Sequence, residues 1–361
     1  ESKLVVRRAR PSDRDSILEV SDSIWGGEDY LPLVWDRWVA DTKGAFLVAT
    51  YDGKPIGSSK ITVLAPGEVW LEGLRLHTSF HGRGLSHKIH NATFREATRL
   101  KPRSVRYSTW IGNEASRHIA EKYGFWLVAV TTWMWGSVGR RAPLKSRRAT
   151  TEDTDALVRY IRQSECYKAA SGLAGVGWKF PELNLRRIRR IVASGNALVR
   201  PKRGHIRAAA LFAIGTIDDD VCLGFIDGSD EDITTLARDV LSVARETGRD
   251  EASAMLPQGR IADTVFLAGF DKDPPLQAVV YELGARGIKS GDEPFEELLS
   301  RTFRMNESEM ADTITEMLMD RTPARLARQN VRDFVMRRVM PDATRALTAA
   351  LLGLSEGLSQ N

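Results

Sequence analysis

The sequence predicts a duplicated α/β (α+β layered) fold, with a central mixed, mostly antiparallel sheet in each copy and a C-terminal helical segment. Three observations carry this. An Arg-Arg-Ala segment with polar, helix-starting residues behind it occurs twice, as Arg7-Arg8-Ala9-Arg10-Pro11-Ser12-Asp13 and as Arg147-Arg148-Ala149-Thr150-Thr151-Glu152-Asp153. A Gly-Phe pair followed by an apolar strand closes each copy, at Gly124-Phe125 and at Gly269-Phe270. Between these ends, period-two and period-3.6 apolar patterns alternate, as a layered domain requires.

The elements follow in order. Ser12 and Glu152 sit at helix starts, with aspartates in the first turn that favour the helix dipole. Ala45–Tyr51 and residues 56–64 form a hairpin about Asp52-Gly53. Residues 68–77 form a strand, 85–100 a helix, Ser104–Trp110 a strand, Glu114–Lys122 a helix and 126–135 a strand. Residues 137–146 read as a linker, so the expected domains are 1–140 and 145–285. In the second, Val221–Asp227 and residues 277–283 are strands. Beyond 286 the pattern turns to helices without strands, and Thr322-Pro323 supplies an N-cap and an N1 proline. Residues 286–361 are expected to pack as a helical appendage, with a partner-binding or oligomerisation helix as the alternative.

Composition narrows the function classes. At 361 residues the chain exceeds one ordinary core. It is 42% hydrophobic and 27% charged, with a mean hydropathy of −0.28. No window approaches the roughly 18 apolar residues of a membrane span. The stretch from Glu1 to Arg8 does not read as a signal peptide. Cys166 and Cys222 share no metal-like spacing and read as buried thiols in a reducing cytoplasm, so a cytoplasmic protein without a metal is expected. The net charge of +5 suits an anionic ligand, but the basic residues are spread and show no interleaving with aromatics, which argues against a nucleic-acid partner.

The segment Leu71-Glu72-Gly73-Leu74-Arg75-Leu76-His77-Thr78-Ser79-Phe80-His81-Gly82-Arg83-Gly84-Leu85-Ser86 carries the chemistry. A strand enters a glycine turn and a helix leaves it. Such a turn aims successive backbone N–H groups into one concavity at a helix N-terminus, which attracts a diphosphate. The glycines are too few for the Gly-x-Gly-x-x-Gly of a dinucleotide fold.

His81-Gly82-Arg83-Gly84-Leu85-Ser86 resembles the Arg/Gln-x-x-Gly-x-Gly/Ala motif of the GCN5-related N-acetyltransferases, GNAT. His81 replaces the usual Arg or Gln, and Ser86 the usual Gly or Ala. The run from Asn113 to Gly124-Phe125 resembles that family's second segment. The resemblance covers residues 4–136. It implies acetyl-CoA as co-substrate and direct transfer to an amine. Backbone groups at Leu74 and Leu76 would pair with the pantetheine. Amides of Gly82, Arg83, Gly84, Leu85 and Ser86 would hold the pyrophosphate, with His81 donating to phosphate, and Asn113 would touch the pantetheine arm.

The amine must be neutral to attack, so a base is needed. By strand alternation, Trp70, Glu72, Leu74 and Leu76 share one face, which puts Glu72 beside the thioester as the base. The alternatives are that Glu72 merely pairs with a neighbouring arginine, or that Glu68 acts instead. The position where many relatives carry an acidic Tyr is Ala120, and Tyr123 has no assigned role. Tyr30 and Trp70 are expected at the acceptor, while Trp35 and Trp38 suit either pocket or core. Gly26-Gly27-Glu28-Asp29-Tyr30-Leu31-Pro32 and Glu72-Gly73-Leu74-Arg75 resemble the histidine N-acetyltransferase branch. In the second copy the equivalent loop is Gly228-Ser229-Asp230-Glu231-Asp232, whose three carboxylates repel a diphosphate. That copy is expected to be a degenerate domain that covers the acceptor side or forms a homo-oligomer surface. The expected function is acetyl transfer to a small amine or amino acid. The alternatives are a peptide or protein N-acetyltransferase and a non-catalytic acyl-CoA-binding module.

Overall fold

Arg7 ends the first strand, β1 (Leu4–Arg8), and its guanidinium grips Asp13 through two bonds of 2.7 Å. Asp13 also accepts from the Arg10 amide and so closes the turn that launches α1 (Arg14–Trp25). The same device recurs: Arg147 in β7 (Arg147–Arg148) holds Asp153 at 2.6 Å, and Asp153 accepts from the Thr150 amide before α5 (Thr154–Gln163). The Arg-Arg-Ala echo in the sequence is therefore a repeated strand-to-helix joint.

The computed structural model describes residues 4–25, 29–139, 142–215 and 219–284, all within one compact unit. The helices expected beyond 286 lie outside the described residues, as do Gly26, Gly27 and Glu28. After α1 come α2 (Leu31–Val39), β2 (Ala45–Tyr51), β3 (Lys54–Ala65), β4 (Glu68–Leu76), α3 (Leu85–Thr98), β5 (Ser104–Trp110), α4 (Glu114–Lys122) and β6 (Trp126–Ser137). The second half runs from β7 and α5 through α6 (Glu165–Ala169), α7 (Leu185–Ala193), β8 (Ala197–Lys202), β9 (His205–Ile214), β10 (Val221–Asp227), α8 (Asp230–Glu246), β11 (Glu251–Pro257), α9 (Arg260–Leu267) and β12 (Lys272–Gly284). The hairpin turn lies at Asp52-Gly53, where both residues have positive φ, as a two-residue turn between twisted strands demands. Among the described residues, no helix is long and apolar enough to cross a membrane.

The strands form one continuous sheet in the order β1-β2-β3-β4-β5-β12-β6-β11-β10-β9-β8-β7. The expected domains 1–140 and 145–285 are thus not separate sheets. β12 inserts beside β5, from Ala278 opposite Trp110 to Gly284 opposite Ser104, and β6 pairs with β11. Each half ends in a strand that serves the other, and Met134 of β6 lies in the apolar core of the second half. The faces of the first half are separated by alternation along β2. Phe46 and Val48 pack with Ile17, Leu31, Trp35 and Trp38 on the α1/α2 side, whereas Ala49 packs with Leu85 and Ile89 of α3.

A buried ion network ties the halves at the β4–β5 junction. Glu68, fully buried, accepts from Arg106 Nη1 at 2.9 Å, from the Glu182 amide at 2.6 Å and from Arg187 at 3.2 Å. Arg106 also pairs with Glu182 at 2.9 Å and with Glu282. Burial works against ionising Glu182, but hydrogen bonds from Arg103 and Arg106 prevail and hold its carboxyl below the usual range. Both carboxyl oxygens of Glu68, weighed above as a second base, are engaged in this network.

Two stability predictions follow from these burials. Arg106→Met leaves carboxylates from both halves without their shared partner, and chemical denaturation should show a loss of about 3–5 kcal/mol. His90 of α3 is 6% exposed, its ring lies 4.4 Å from that of Tyr123, and burial depresses its pKa to about 4, with His87 adding to the effect. The folded chain thus refuses a proton that the unfolded chain accepts below about pH 6.5, so stability falls as pH drops from 6.5 towards 4. Denaturation midpoints across that window should decline less in His90→Phe, by up to about 3 kcal/mol at the acid end.

Candidate active site

The parallel strands β4 and β5 pair at Glu68–Ser104, Val69–Val105 and Trp70–Arg106, and there the ladder stops. β4 stays on β3 as far as Leu76 opposite Gly57, while β5 stays on β12 as far as Trp110 opposite Ala278. The two strands part, and their inner edges remain open to an extended guest. A bulge in β4 causes this. Lys60 opposes Glu72 and Ser58 opposes Arg75, so Gly73 and Leu74 together face Ser59. Gly73 has φ +68°, and a Cβ there would lie 2.7 Å from the Trp38 ring, so only glycine fits.

The bulge overturns one expectation from strand alternation. Trp70 packs with Leu173 and Phe180 and Glu72 pairs with Lys179, all from residues 173–183, whereas Leu74 and Leu76 pack with Leu85 and Ile89 on the α3 side. One extra residue inverts the phase of everything after it. The acceptor role expected for Trp70 is also corrected: it is 2% exposed and packs against Phe180, ring centroids 6.2 Å apart, so it is core. Trp35 and Trp38 are core as well.

At the open end of the split, residues 81–84 form an exposed turn. Gly82 and Gly84 both have positive φ, and nothing lies within 4 Å of a Cβ built at either. Gly84 is the N-cap of α3, while Asn113 caps α4 by accepting the Ser116 amide at 3.1 Å. Both helices leave the C-terminal ends of the two parting strands, so two positive helix ends flank the split. The side chain of Leu85 is buried in the core, Ser86 is half-buried, and the Arg83 guanidinium sits 5.1 Å from the Phe80 ring centroid. His81 departs from its expected use. Its Nε2 lies 2.8 Å from the Leu76 carbonyl, so that nitrogen braces the turn to its own strand rather than pointing at phosphate.

On the rim of the split, Glu72 Oε1 accepts from Thr62 Oγ at 2.5 Å, and Oε2 lies 3.1 Å from Lys179 Nζ. The ion pair considered from sequence exists, but its cation is a lysine from the second half. No sequence signal marked Lys179, because its relevance depends on the fold bringing residues 173–183 across β4 and β5. Ser108 of β5 donates to the Trp178 carbonyl at 2.7 Å, so this strap touches both rims of the split. Lys60, opposite Glu72, is buried and bonded to Asp41.

Asp29 and Tyr30 are fastened to β4 by Arg75. Its Nε and Nη2 bind the two Asp29 oxygens at 2.5 and 2.7 Å, and its guanidinium lies 5.1 Å from the Tyr30 ring centroid. Burial alone would raise the Asp29 pKa; Arg75 and Ser21 reverse that and hold it below the usual range. Burial pushes the Tyr30 hydroxyl up to about 12. The two short segments singled out in the sequence, around Asp29 and around Arg75, are thus the two sides of one joint, with Trp38 against Gly73 completing it. Ala120 is fully buried, and the Tyr123 hydroxyl is turned to Asn91 and the His87 carbonyl of α3.

The second half repeats the split without the opening. β10 and β11 pair from Val221–Ala252 to Leu223–Ala254, and a bulge follows at Gly224. Here the strap lies against the strands: a Cβ at Gly224 would meet the Gly175 carbonyl at 2.0 Å, and one at Gly175 would meet Met255 at 2.5 Å. Asp230 and Asp232 are held by Arg260, Arg200 and Arg207.

Residues 14–125 match the acetyltransferase (GNAT) family. The histidine N-acetyltransferase of Oreochromis niloticus is 37% identical over 79 residues, which is 22% of this chain and 23% of that protein. That of Scomber australasicus is 35% identical over 79 residues, with the same shares. The match thus spans less than a quarter of these curated relatives. Among solved structures, a GCN5-related N-acetyltransferase from Sphaerobacter thermophilus shares the fold, with a TM-score of 0.56 at 13% identity over 81% of this chain and 98% of its own.

The bulge yields its own prediction. Gly73→Ala meets both a left-handed φ and the Trp38 ring, and should cost about 2–4 kcal/mol in a denaturant titration. Gly82→Ala, with open space around it, should cost about 1 kcal/mol.

Proposed function

We propose, from the match of residues 14–125 to the GNAT family, that the first half transfers an acetyl group from acetyl-CoA to the amine of a small, amino-acid-sized acceptor. The observation that carries this reading is the unpaired edge between β4 and β5, with an exposed Gly82–Gly84 turn at one end and Glu72 on its rim. The donor set fits the co-substrate. Amides of residues 82–86 at the α3 N-terminus suit a diphosphate, and the open strand edges suit the amide groups of an extended pantetheine. Acetyl-CoA supplies an activated carbonyl and a stable thiolate leaving group. Glu72 takes the proton from the acceptor amine, and Thr62 fixes its carboxylate through Oε1.

A small acceptor is favoured by the strap of residues 173–183, which touches β4 at Glu72 and β5 at Ser108. The histidine N-acetyltransferase relatives point the same way, to an amino-acid amine. We read the two halves as copies of one domain, of which the second holds no CoA. Its split is covered by Gly175, and its turn carries carboxylates already paired with arginines.

The test is release of free thiol from acetyl-CoA across a panel of amino acids, polyamines, aminoglycosides and peptides. Acetylation of free amino acids is expected, and Glu72→Gln should lower kcat by about 10²- to 10⁴-fold while leaving CoA binding intact. An unchanged kcat in that variant would remove Glu72 as the base.

A further inference from the structure

We propose that Lys179, carried into the site by the second half, recognises a carboxylate on the carbon that bears the reacting amine, so that the acceptor is a free α-amino acid rather than a peptide or a simple amine. This rests on the reading of Glu72 as the base.

The strap that bears Lys179 is fixed. Val176 and Lys179 exchange backbone hydrogen bonds of 2.8 and 3.2 Å around Gly177, which has φ +56°. On one side of Lys179, Trp178 stands edge-on to Trp133 at 5.0 Å and its carbonyl takes the Ser108 hydroxyl. On the other, Phe180 is 1% exposed in the shared core beside Trp70. The lysine side chain reaches Glu72, and it stays 24% exposed there.

Charge and distance then define its partner. The other cations around this side are already committed: Lys60 to Asp41 and the Ile61 carbonyl, Arg75 to both oxygens of Asp29. Lys179 Nζ lies 3.1 Å from Glu72 Oε2. An amine that gives its proton to Glu72 must come within hydrogen-bond reach of that same carboxylate. A carboxylate on the carbon next to the amine can then be turned to within ion-pair reach of Lys179. In an α-amino acid, a carboxylate oxygen sits roughly 3 Å from the amine nitrogen by bond geometry alone. A zwitterion therefore answers both charges of the Glu72–Lys179 pair. A lone ammonium group would meet Lys179 as a like charge, and a peptide N-terminus offers a neutral carbonyl where the carboxylate should be. The lysine ammonium has three donors on a flexible stem, so it can serve Glu72 and a ligand carboxylate together.

The test uses the full-length chain, acetyl-CoA and a matched series: an amino acid, its carboxamide, its decarboxylated amine, and a peptide beginning with that residue. Wild type should prefer the amino acid over the carboxamide in kcat/KM by about 10- to 100-fold, the discrimination of one charged hydrogen bond. Lys179→Met should bring that ratio near unity, chiefly by raising KM for the amino acid, whereas Lys179→Arg should keep most of it. A lysine that only braces Glu72 would, when removed, lower the rates for amino acid and carboxamide together and leave their ratio unchanged. That result overturns the proposal, as does a wild-type enzyme that acetylates the carboxamide as well as the acid. A wild type silent on every amine overturns the proposed function itself, and this inference with it.

Discussion

The rung between Trp70 and Arg106 is the point on which the first half turns. Up to it, β4 and β5 are an ordinary parallel pair; beyond it they part, and the cleft between them is the proposed site. Two opposed features fix that point. The buried network of Glu68, Arg106, Glu182, Glu282 and Arg187 clamps the strands on the closed side. On the open side, the bulge at Gly73 turns β4 away from β5 and inverts its faces. Glu72 is therefore presented to Lys179 while Leu74, half-buried, and Leu76, buried, pack against α3. Glu68 of the clamp and Gly73 of the bulge are five residues apart on the same strand, so the cleft has a defined vertex.

The second half shapes the first in two ways. It lends β12 as the strand beside β5, which gives β5 a hydrogen-bonded partner on its far edge while the near edge stays free. It also sends the strap of residues 173–183 across the junction, where Glu182 completes the buried clamp and Lys179 meets Glu72. The same strap places Gly175 against Gly224 and Met255 and so covers the second half's own split. One segment thereby covers one split and contacts the rim of the other.

Much of this was legible in the sequence. The hairpin at Asp52-Gly53, the strand Ser104–Trp110, the helix Glu114–Lys122 and the strand Val221–Asp227 follow from local periodicity and turn chemistry, which act over a few residues. The exposed glycine turn at 82–84 was legible for the same reason. The face of Leu74 was not, because a bulge is set by pairing with β3 and by Trp38, neither of which is local to β4. Trp70 looked like a pocket wall because the sequence cannot show Phe180 lying on it. The exchange of β6 and β12, and the arrival of Lys179 at Glu72, are long-range pairings that leave no mark on periodicity.

Among the described residues, the split between β4 and β5 is open and that between β10 and β11 is covered. Calorimetric titration of the chain with CoA tests this difference most directly. One CoA should bind per chain, and Gly84→Asp should abolish the binding without unfolding the protein. Aspartate tolerates the left-handed φ of +69°, finds nothing within 4 Å of its Cβ, and sets a negative charge where the diphosphate must lie. Two equivalents bound per chain, or one that persists in Gly84→Asp, would contradict it.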